Sequence, residues 1–171
     1  MNLQEQVRAI REAGHVRRCH TLPHVGHYDV ANHSWQALAL LHALHPNPST
    51  NLIWALAFHD VAERFTGDIP APAKWGSPEL VAVLRELELR IDVALNTVFH
   101  LTADEVLWLN AIDRLELLLW AEDQMAMGNR NAEQCGNLIR IWFRKNWDAL
   151  PNPVAQFISG YTWSRSNEQL P

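Results

Sequence analysis

His59 and Asp60 stand side by side at the end of an apolar, helix-patterned run of Leu52, Ile53, Ala55, Leu56 and Phe58, and Glu63 follows one turn later. A second histidine lies upstream at His33 and an aspartate downstream at Asp113, each on its own helix-patterned segment. Two imidazoles and two carboxylates from three helices can converge on one divalent cation. Such a mixed nitrogen and oxygen set suits several borderline ions, and Co, Mn, Zn, Fe and Ni all remain open. An enzyme is the expectation.

At about 100° per residue, His59 and Glu63 fall on neighbouring turns of one helix face with Asp60 beside them. His33 lies at the edge of the apolar stripe Val30, Ala37, Leu41. Asp113 is the sharper anomaly: it interrupts the stripe Val106, Leu109, Leu117, Trp120, where an isolated carboxylate is costly unless paired, protonated or metal-bound. Each residue also has a plainer reading. The histidines could be hydrogen-bonded core groups, Asp113 could pair with Arg114, Asp60 with Arg64, and Glu63 could be a solvated surface residue. It is the coincidence of all of them that favours a metal. His15, His20, His24 and His27 crowd one loop without structural-zinc spacing, so they read as loop polar groups, some at the pocket entrance; His42, His45 and His100 have no evident partner.

The elements that would position these groups are all helical. An amphipathic segment near 2–13 stops at Gly14, and 15–29 is a polar loop rich in His, Arg and Gly. Helical spacing resumes from Val30 to Leu44 and ends before Pro46 and Pro48. Residues 50–65 read as one helix, and the prolines between 70 and 78 make a stiff loop after it. Ser77-Pro78-Glu79 is a helix start, from which Leu80, Leu84, Leu87, Ile91, Leu95 and Val98 mark one long amphipathic helix. Thr102-Ala103-Asp104-Glu105 starts another. Two more cover about 130–148 and 153–165. The expected class is all-α, six or seven helices, in one domain spanning 1–171.

The formal charge of −5 argues against a broad attraction to duplex nucleic acid, although Arg17-Arg18 can still hold a small phosphate. No apolar stretch is long enough to span a bilayer, and the N-terminus lacks a signal-like core, so a cytoplasmic location is expected, the host cytoplasm if the chain is phage-encoded. Cys19 and Cys135 are assigned to no disulfide. Of the eight tryptophans, some could lie at a subunit contact; the alternative is that all are core or half-buried.

The arrangement His33 … His59-Asp60 … Asp113 resembles the HD-domain metal-dependent phosphohydrolases, an all-helical superfamily. Ala31-Asn32-His33-Ser34, His59-Asp60-Val61-Ala62-Glu63 and Thr66-Gly67-Asp68-Ile69-Pro70-Ala71-Pro72-Ala73-Lys74 look like its bacterial 5'-deoxynucleotidase branch, which includes compact phage dATP triphosphohydrolases. The likeness covers roughly 14–75 plus the Asp113 helix, and the Thr-Gly-Asp-Ile-Pro run is its specific part. It implies that His33, His59, Asp60 and Asp113 hold one divalent metal and that Glu63 manages protons. Asp68 would assist near the scissile phosphate, Arg18 and Lys74 would hold phosphate oxygens, and Pro72 would lie against base or sugar. Two residues depart from the pattern: Asn32 stands where the family usually has Glu, and Cys19 follows Arg18 where it often has Trp. The missing indole belongs to the wall that would exclude a ribose 2'-hydroxyl, a place Trp35 or Trp75 could take.

The expected activity is hydrolysis of 2'-deoxynucleotides at the 5' phosphoester. The short chain and the 53-residue interval from Asp60 to Asp113 favour dNTP, dATP first, cut to deoxynucleoside and triphosphate. A 5'-deoxynucleotidase acting on dNMPs is the alternative. A non-catalytic metal and nucleotide sensor has no use for Glu63, and hydrolysis of a cyclic dinucleotide or guanosine tetraphosphate fits the Thr-Gly-Asp-Ile-Pro run poorly. A homo-oligomer, dimer or larger, is expected from the tryptophans and the resemblance.

Overall fold

The computed structural model describes residues 1–161 and consists of helices α1 (Leu3–Ala13), α2 (Val30–Leu44), α3 (Thr50–Phe58), α4 (Glu63–Thr66), α5 (Ala71–Trp75), α6 (Pro78–Leu95), α7 (Ala103–Ala126), α8 (Glu133–Lys145) and α9 (Asn152–Gly160). Single 3-10 turns lie at Arg130–Ala132 and Trp147–Ala149. The class is all-α, as expected. Leaving aside the one-turn helices α4 and α5, seven helices of nine residues or more remain among the described residues. Positions 162–165 of the last expected helix, and Trp163 within them, lie outside the described residues. No described helix is long and apolar enough to cross a membrane.

α7 is the axis of the fold because its apolar positions recur on every side. Trp108, Ala111, Ile112, Leu115 and Leu118 enter the main core with Ala37 and Leu41 of α2, Leu52 and Leu56 of α3, Ile139 and Phe143 of α8, and Val154 and Ile158 of α9. Its start is fixed by a reciprocal cap in which Glu105 N–H donates to Thr102 Oγ1 and Thr102 N–H to Glu105 Oε2. The Ser77 cap also forms, with Leu80 N–H on its hydroxyl at 3.2 Å and Pro78 in the first turn. α6 ends at Asn96, left-handed with φ 57°, so Val98 lies beyond the helix the spacing had carried it into. Only Leu84 and Leu95 of the α6 stripe are buried.

Two smaller clusters set the site's flanks. Ala9 and Ala13 of α1 meet Val61 and Leu95, and Tyr28 meets Trp120, Ala121 and Ala132. The loop 15–29 is closed at its base by backbone pairing: Arg18 N–H donates to the Tyr28 carbonyl at 2.9 Å, Val30 N–H to Val16 at 3.0 Å, and Ala31 N–H to Gly14 at 3.2 Å. Gly14 is required by proximity, since a Cβ there would stand 3.0 Å from the Ala31 Cβ. The far end of the loop is pinned by the Gln124 amide, which accepts from Val25 N–H at 2.8 Å and donates to the Val25 carbonyl at 2.9 Å.

Several expectations are corrected. The 50–65 run is not one helix: α3 stops at Phe58 and the chain continues in i→i+3 turns before α4. The 70–78 stretch is not simply a loop, because Ala71–Trp75 form one helical turn with Pro72 in its first turn, where the missing N–H costs nothing. α8 begins at Glu133 and ends at Lys145, narrower than 130–148. Trp35, Trp54 and Trp75 are exposed, so the alternative of eight core or half-buried tryptophans fails.

Candidate active site

The break after α3 creates the site. His59 Nδ1–H donates at 2.8 Å to the Leu56 carbonyl, which in a continued α-helix would accept from Asp60 N–H. The following bonds run i→i+3, from Val61 to Phe58 and from Glu63 to Asp60, both at 3.0 Å. This tighter winding turns Asp60 towards His33, so Asp60 and His59 face a common point without sharing an ideal α-helical face. Gly67, with φ 71°, then makes the turn that brings Asp68 back to the loop; that backbone conformation favours glycine.

His33 Nε2 and His59 Nε2 lie 3.1 Å apart. Asp113 Oδ1 is 3.3 Å from the first and 3.5 Å from the second, and Asp60 Oδ2 is 3.7 and 3.3 Å from them. Atoms bound ~2.1 Å from a single cation at octahedral or tetrahedral angles stand roughly 3.0–3.4 Å apart, close to these separations. The hydrogen bonds decide which nitrogen is free. His59 Nδ1–H is spent on Leu56, and His33 Nδ1–H on the carboxylate of Glu116, so in the neutral rings both Nε2 lone pairs face each other and the two aspartates. Only a proton or a cation between them relieves that arrangement, and four donors on one point fit a divalent ion. Among the described residues His33, His59 and Asp60 form a group with metal-binding separations, and Asp113 Oδ1 lies within 3.5 Å of both imidazole nitrogens of that group.

The electrostatics follow from the same crowding. Burial lowers the His59 pKa, but Asp60 and Asp113 outweigh it and raise it to about 9. Burial alone would raise Asp113, yet its bonds to His33 and His59 hold it well below the usual carboxylate range. Glu63 behaves oppositely. Burial first and the neighbouring Asp60 second push its carboxyl up to about 8. Its Oε2 is buried with no hydrogen-bond partner among the described residues, so the plainer reading of Glu63 as a solvated surface group is wrong.

Arg18 reaches the centre from the loop and pairs with Asp60, its guanidinium 5.6 Å from the centroid of the Tyr28 ring. Arg64, the other pairing considered for Asp60, instead bonds Glu12 at 2.5 and 2.8 Å, because the break after α3 removes the helical spacing that would have joined it to Asp60. Asp113 does lie 3.6 Å from Arg114, but that contact uses its other oxygen. Asp68 Oδ2 accepts the Cys19 N–H at 2.9 Å, and Cys19 is left-handed with φ 51°. Lys74, half-buried on α5, contributes positive charge felt by Glu63. Pro72 is exposed on the same turn, and the Cys19 thiol faces Cys135 with a shared hydrogen bond, both cysteines being free. The structure thus gathers His33, His59, Asp60, Asp113, Glu63, Arg18 and Asp68, with Lys74 nearby, whereas among the described residues no hydrogen bond or ion pair ties Pro72 or the Cys19 side chain to the four donors.

Glu116 and Tyr28 are the participants that sequence reasoning missed. Both are buried; Glu116 accepts from Tyr28 Oη–H at 2.6 Å and from His33 Nδ1–H. The signal was present as a carboxylate between Leu115 and Leu117, one turn after Asp113.

The 5'-deoxynucleotidase PM0747 of Pasteurella multocida (strain Pm70) is 30% identical over 83 residues, which span 43% of this chain and 42% of that protein. Among solved structures, a cyanophage S-2L HD phosphohydrolase (DatZ), bound to dA and one catalytic Zn2+ ion, superposes with TM-score 0.66 at 20% identity over 91% of each chain. The PH0347 protein from Pyrococcus horikoshii OT3 gives 0.58 at 15% identity, covering 90% of this chain and 99% of its own. These two likenesses establish the HD-domain fold. The family described as 5'-deoxynucleotidase YfbR-like matches residues 7–141, most of the chain, and the protein therefore belongs to the YfbR-like 5'-deoxynucleotidase family.

Proposed function

We propose that this chain is a metal-dependent hydrolase of 2'-deoxynucleotides that cuts the 5' phosphoester, working as one domain. The observation that carries the reading is the pair of imidazole Nε2 atoms 3.1 Å apart, both lone pairs aimed at the two aspartates. His33, His59, Asp60 and Asp113 would hold the cation, which when bound lowers the pKa of water and offsets charge on phosphoryl oxygens. Zn2+ in the similar cyanophage protein supports one ion, and the donor set suits it.

The chain's own groups account for the rest. Glu63, a carboxyl pushed up to about 8, can hold or accept a proton near neutral pH beside the reacting phosphate, since a proton carrier works best with its pKa near the working pH. Arg18 and Lys74 bring positive charge to that side and would bind phosphate oxygens. Asp68, fixed by the Cys19 N–H, would orient groups next to the scissile ester. Pro72 on the exposed face of α5 would bound the base or sugar. Cys19 leaves the position beside Arg18 without an indole, and Trp35 on α2 and Trp75 on α5, both exposed, are the candidates for that wall.

Within this class we favour dNTP over dNMP on the short interval between Asp60 and Asp113, and adenine as the base on the dA bound by the cyanophage protein, which as a nucleoside bears on the base alone. Both reactions break the same ester bond and differ in how much polyphosphate the basic mouth accepts. Incubation with dATP and dAMP in Zn2+, Mn2+ or Co2+ separates them: triphosphate plus deoxyadenosine from dATP is the expected product. Inorganic phosphate from dAMP with no triphosphate from dATP would reject the preference and keep the class. No hydrolysis across a panel of deoxy- and ribonucleotides would reject the class. The reading places the enzyme in the cytoplasm, with the nucleotide pool, as a homo-oligomer; exposed Trp35, Trp54 and Trp75 support an assembly that sizing would measure.

A further inference from the structure

One turn of α7 holds both nitrogens of a single imidazole. Asp113 Oδ1 stands 3.3 Å from His33 Nε2, and Glu116, three residues on, bonds Nδ1 of the same ring. His33 is fully buried and Glu116 nearly so, and Glu116 lies on the side of the ring away from His59 and Asp60. Glu116 therefore cannot bind a cation lying between the two Nε2 atoms. It can decide where the proton of His33 sits. A carboxylate oxygen at Nδ1 demands an N–H there, which in the neutral ring leaves Nε2 unprotonated; if Nδ1 lost that acceptor, the neutral ring could place its N–H on Nε2, facing Asp113 and the cation.

Glu116 is itself set. Its Oε2 accepts the Tyr28 hydroxyl at 2.6 Å, and the Tyr28 ring is stacked on Trp120 at 4.6 Å and 16°. Tyr28 precedes the Asp29 cap of α2 and Trp120 follows Glu116 by one turn, so the loop, α2 and α7 all fix this one carboxylate.

We propose that Glu116, oriented by Tyr28, is a positioning residue that locks His33 in the Nδ1–H form and thereby sets the affinity of the metal centre. The inference rests on the metal site proposed above and adds to it a group outside the expected ligand set. Carboxylates in this relation to a ligating histidine typically change metal affinity by roughly 10- to 100-fold when removed.

The test compares wild type with Glu116→Leu, Glu116→Gln and Tyr28→Phe at one pH. Zn2+ affinity is measured by competition with a chromophoric chelator, and the imidazole N–H of His33 is followed by nitrogen–proton NMR in the Cd2+-loaded protein. Glu116→Leu should weaken Zn2+ binding roughly 10- to 100-fold and remove the exchange-protected Nδ1–H signal. Glu116→Gln keeps an oxygen acceptor without the charge. It should retain the signal, shifted upfield, with a smaller loss of affinity, and Tyr28→Phe should lose less still. Glu116→Gln is nearly isosteric and remains decisive even if the leucine variant does not fold: an unchanged Nδ1–H shift together with unchanged Zn2+ affinity would overturn the proposal. So would Glu116→Leu binding Zn2+ as wild type does. A wild-type protein that binds neither Zn2+ nor Cd2+ would overturn the metal site itself, which separates the two failures.

Discussion

Replacing Glu63 by glutamine should stabilise the metal-free protein at alkaline pH and leave it nearly unchanged in acid. The carboxyl is raised from an ordinary 4.5 to about 8 by burial and by Asp60. Below 4.5 it is protonated in both folded and unfolded chains and contributes no pH dependence. As pH rises from there, the unfolded chain ionises first, so stability falls until the folded group also ionises near 8. Each tenfold change in proton affinity is worth about 1.4 kcal/mol, so the loss is about 1 kcal/mol near pH 5, about 3 near pH 7 and about 5 above pH 8.5. Glutamine keeps the shape and never ionises. Urea unfolding in EDTA at a series of pH values should show the E63Q curve diverging upward from wild type by these amounts. Titrations that both proteins share cancel in the difference. Parallel curves between pH 5 and 9 would refute the buried, Asp60-opposed acid. Adding Zn2+ should shrink the divergence, because a nearby cation favours the ionised carboxylate.

Other outcomes follow from the same geometry. Zn2+ at about a hundred times its dissociation constant should stabilise the protein by about 2.7 kcal/mol and raise its Tm by roughly 5–11 °C in a chain of this size, with EDTA reversing the rise and Asp113→Asn largely abolishing it. Gly14→Ala should cost about 1–3 kcal/mol in urea unfolding, because its Cβ meets Ala31 at 3.0 Å, and Ala31→Gly in the same chain should recover most of that. Thr102→Ala should cost about 0.5–2 kcal/mol by breaking the reciprocal cap of α7, while Zn2+ affinity stays as in wild type because Asp113 lies about three turns further along.

Much of the site was legible because its signals are local oddities. Asp113 stood out as a charge on an apolar stripe, and the Ser77 and Thr102 caps were visible from residue type and spacing. The break at Phe58 was not, since a 3-10 turn advances about 120° per residue against 100° and a few residues of it leave the apolar pattern almost intact, with no glycine or proline to mark it. The same break misdirects the pairing of Asp60: an intact helix would have put Arg64 beside it, whereas the partner is Arg18, 42 residues upstream and reachable only once the loop base is paired. Glu116 escaped notice because it lies off the stripe read through Asp113, and only the fold shows that its side of α7 is buried against Tyr28 and His33. The α6 stripe was read correctly as a helix and wrongly as wholly covered, because spacing reports a pattern and says nothing of what lies opposite.

Asp113, Glu116, Trp120 and Gln124 descend one side of α7 and serve, in turn, the donor cluster, the His33 proton, the Tyr28 ring and the Val25 backbone. Inserting or deleting one residue within that stretch would rotate everything beyond it by about 100° and shift it by about 1.5 Å, uncoupling several of these tasks at once. Length variation among relatives should therefore be absent from 113–124 and confined to the joints on either side, at His100–Leu101 and Gly128–Asn129, where the backbone leaves the helix.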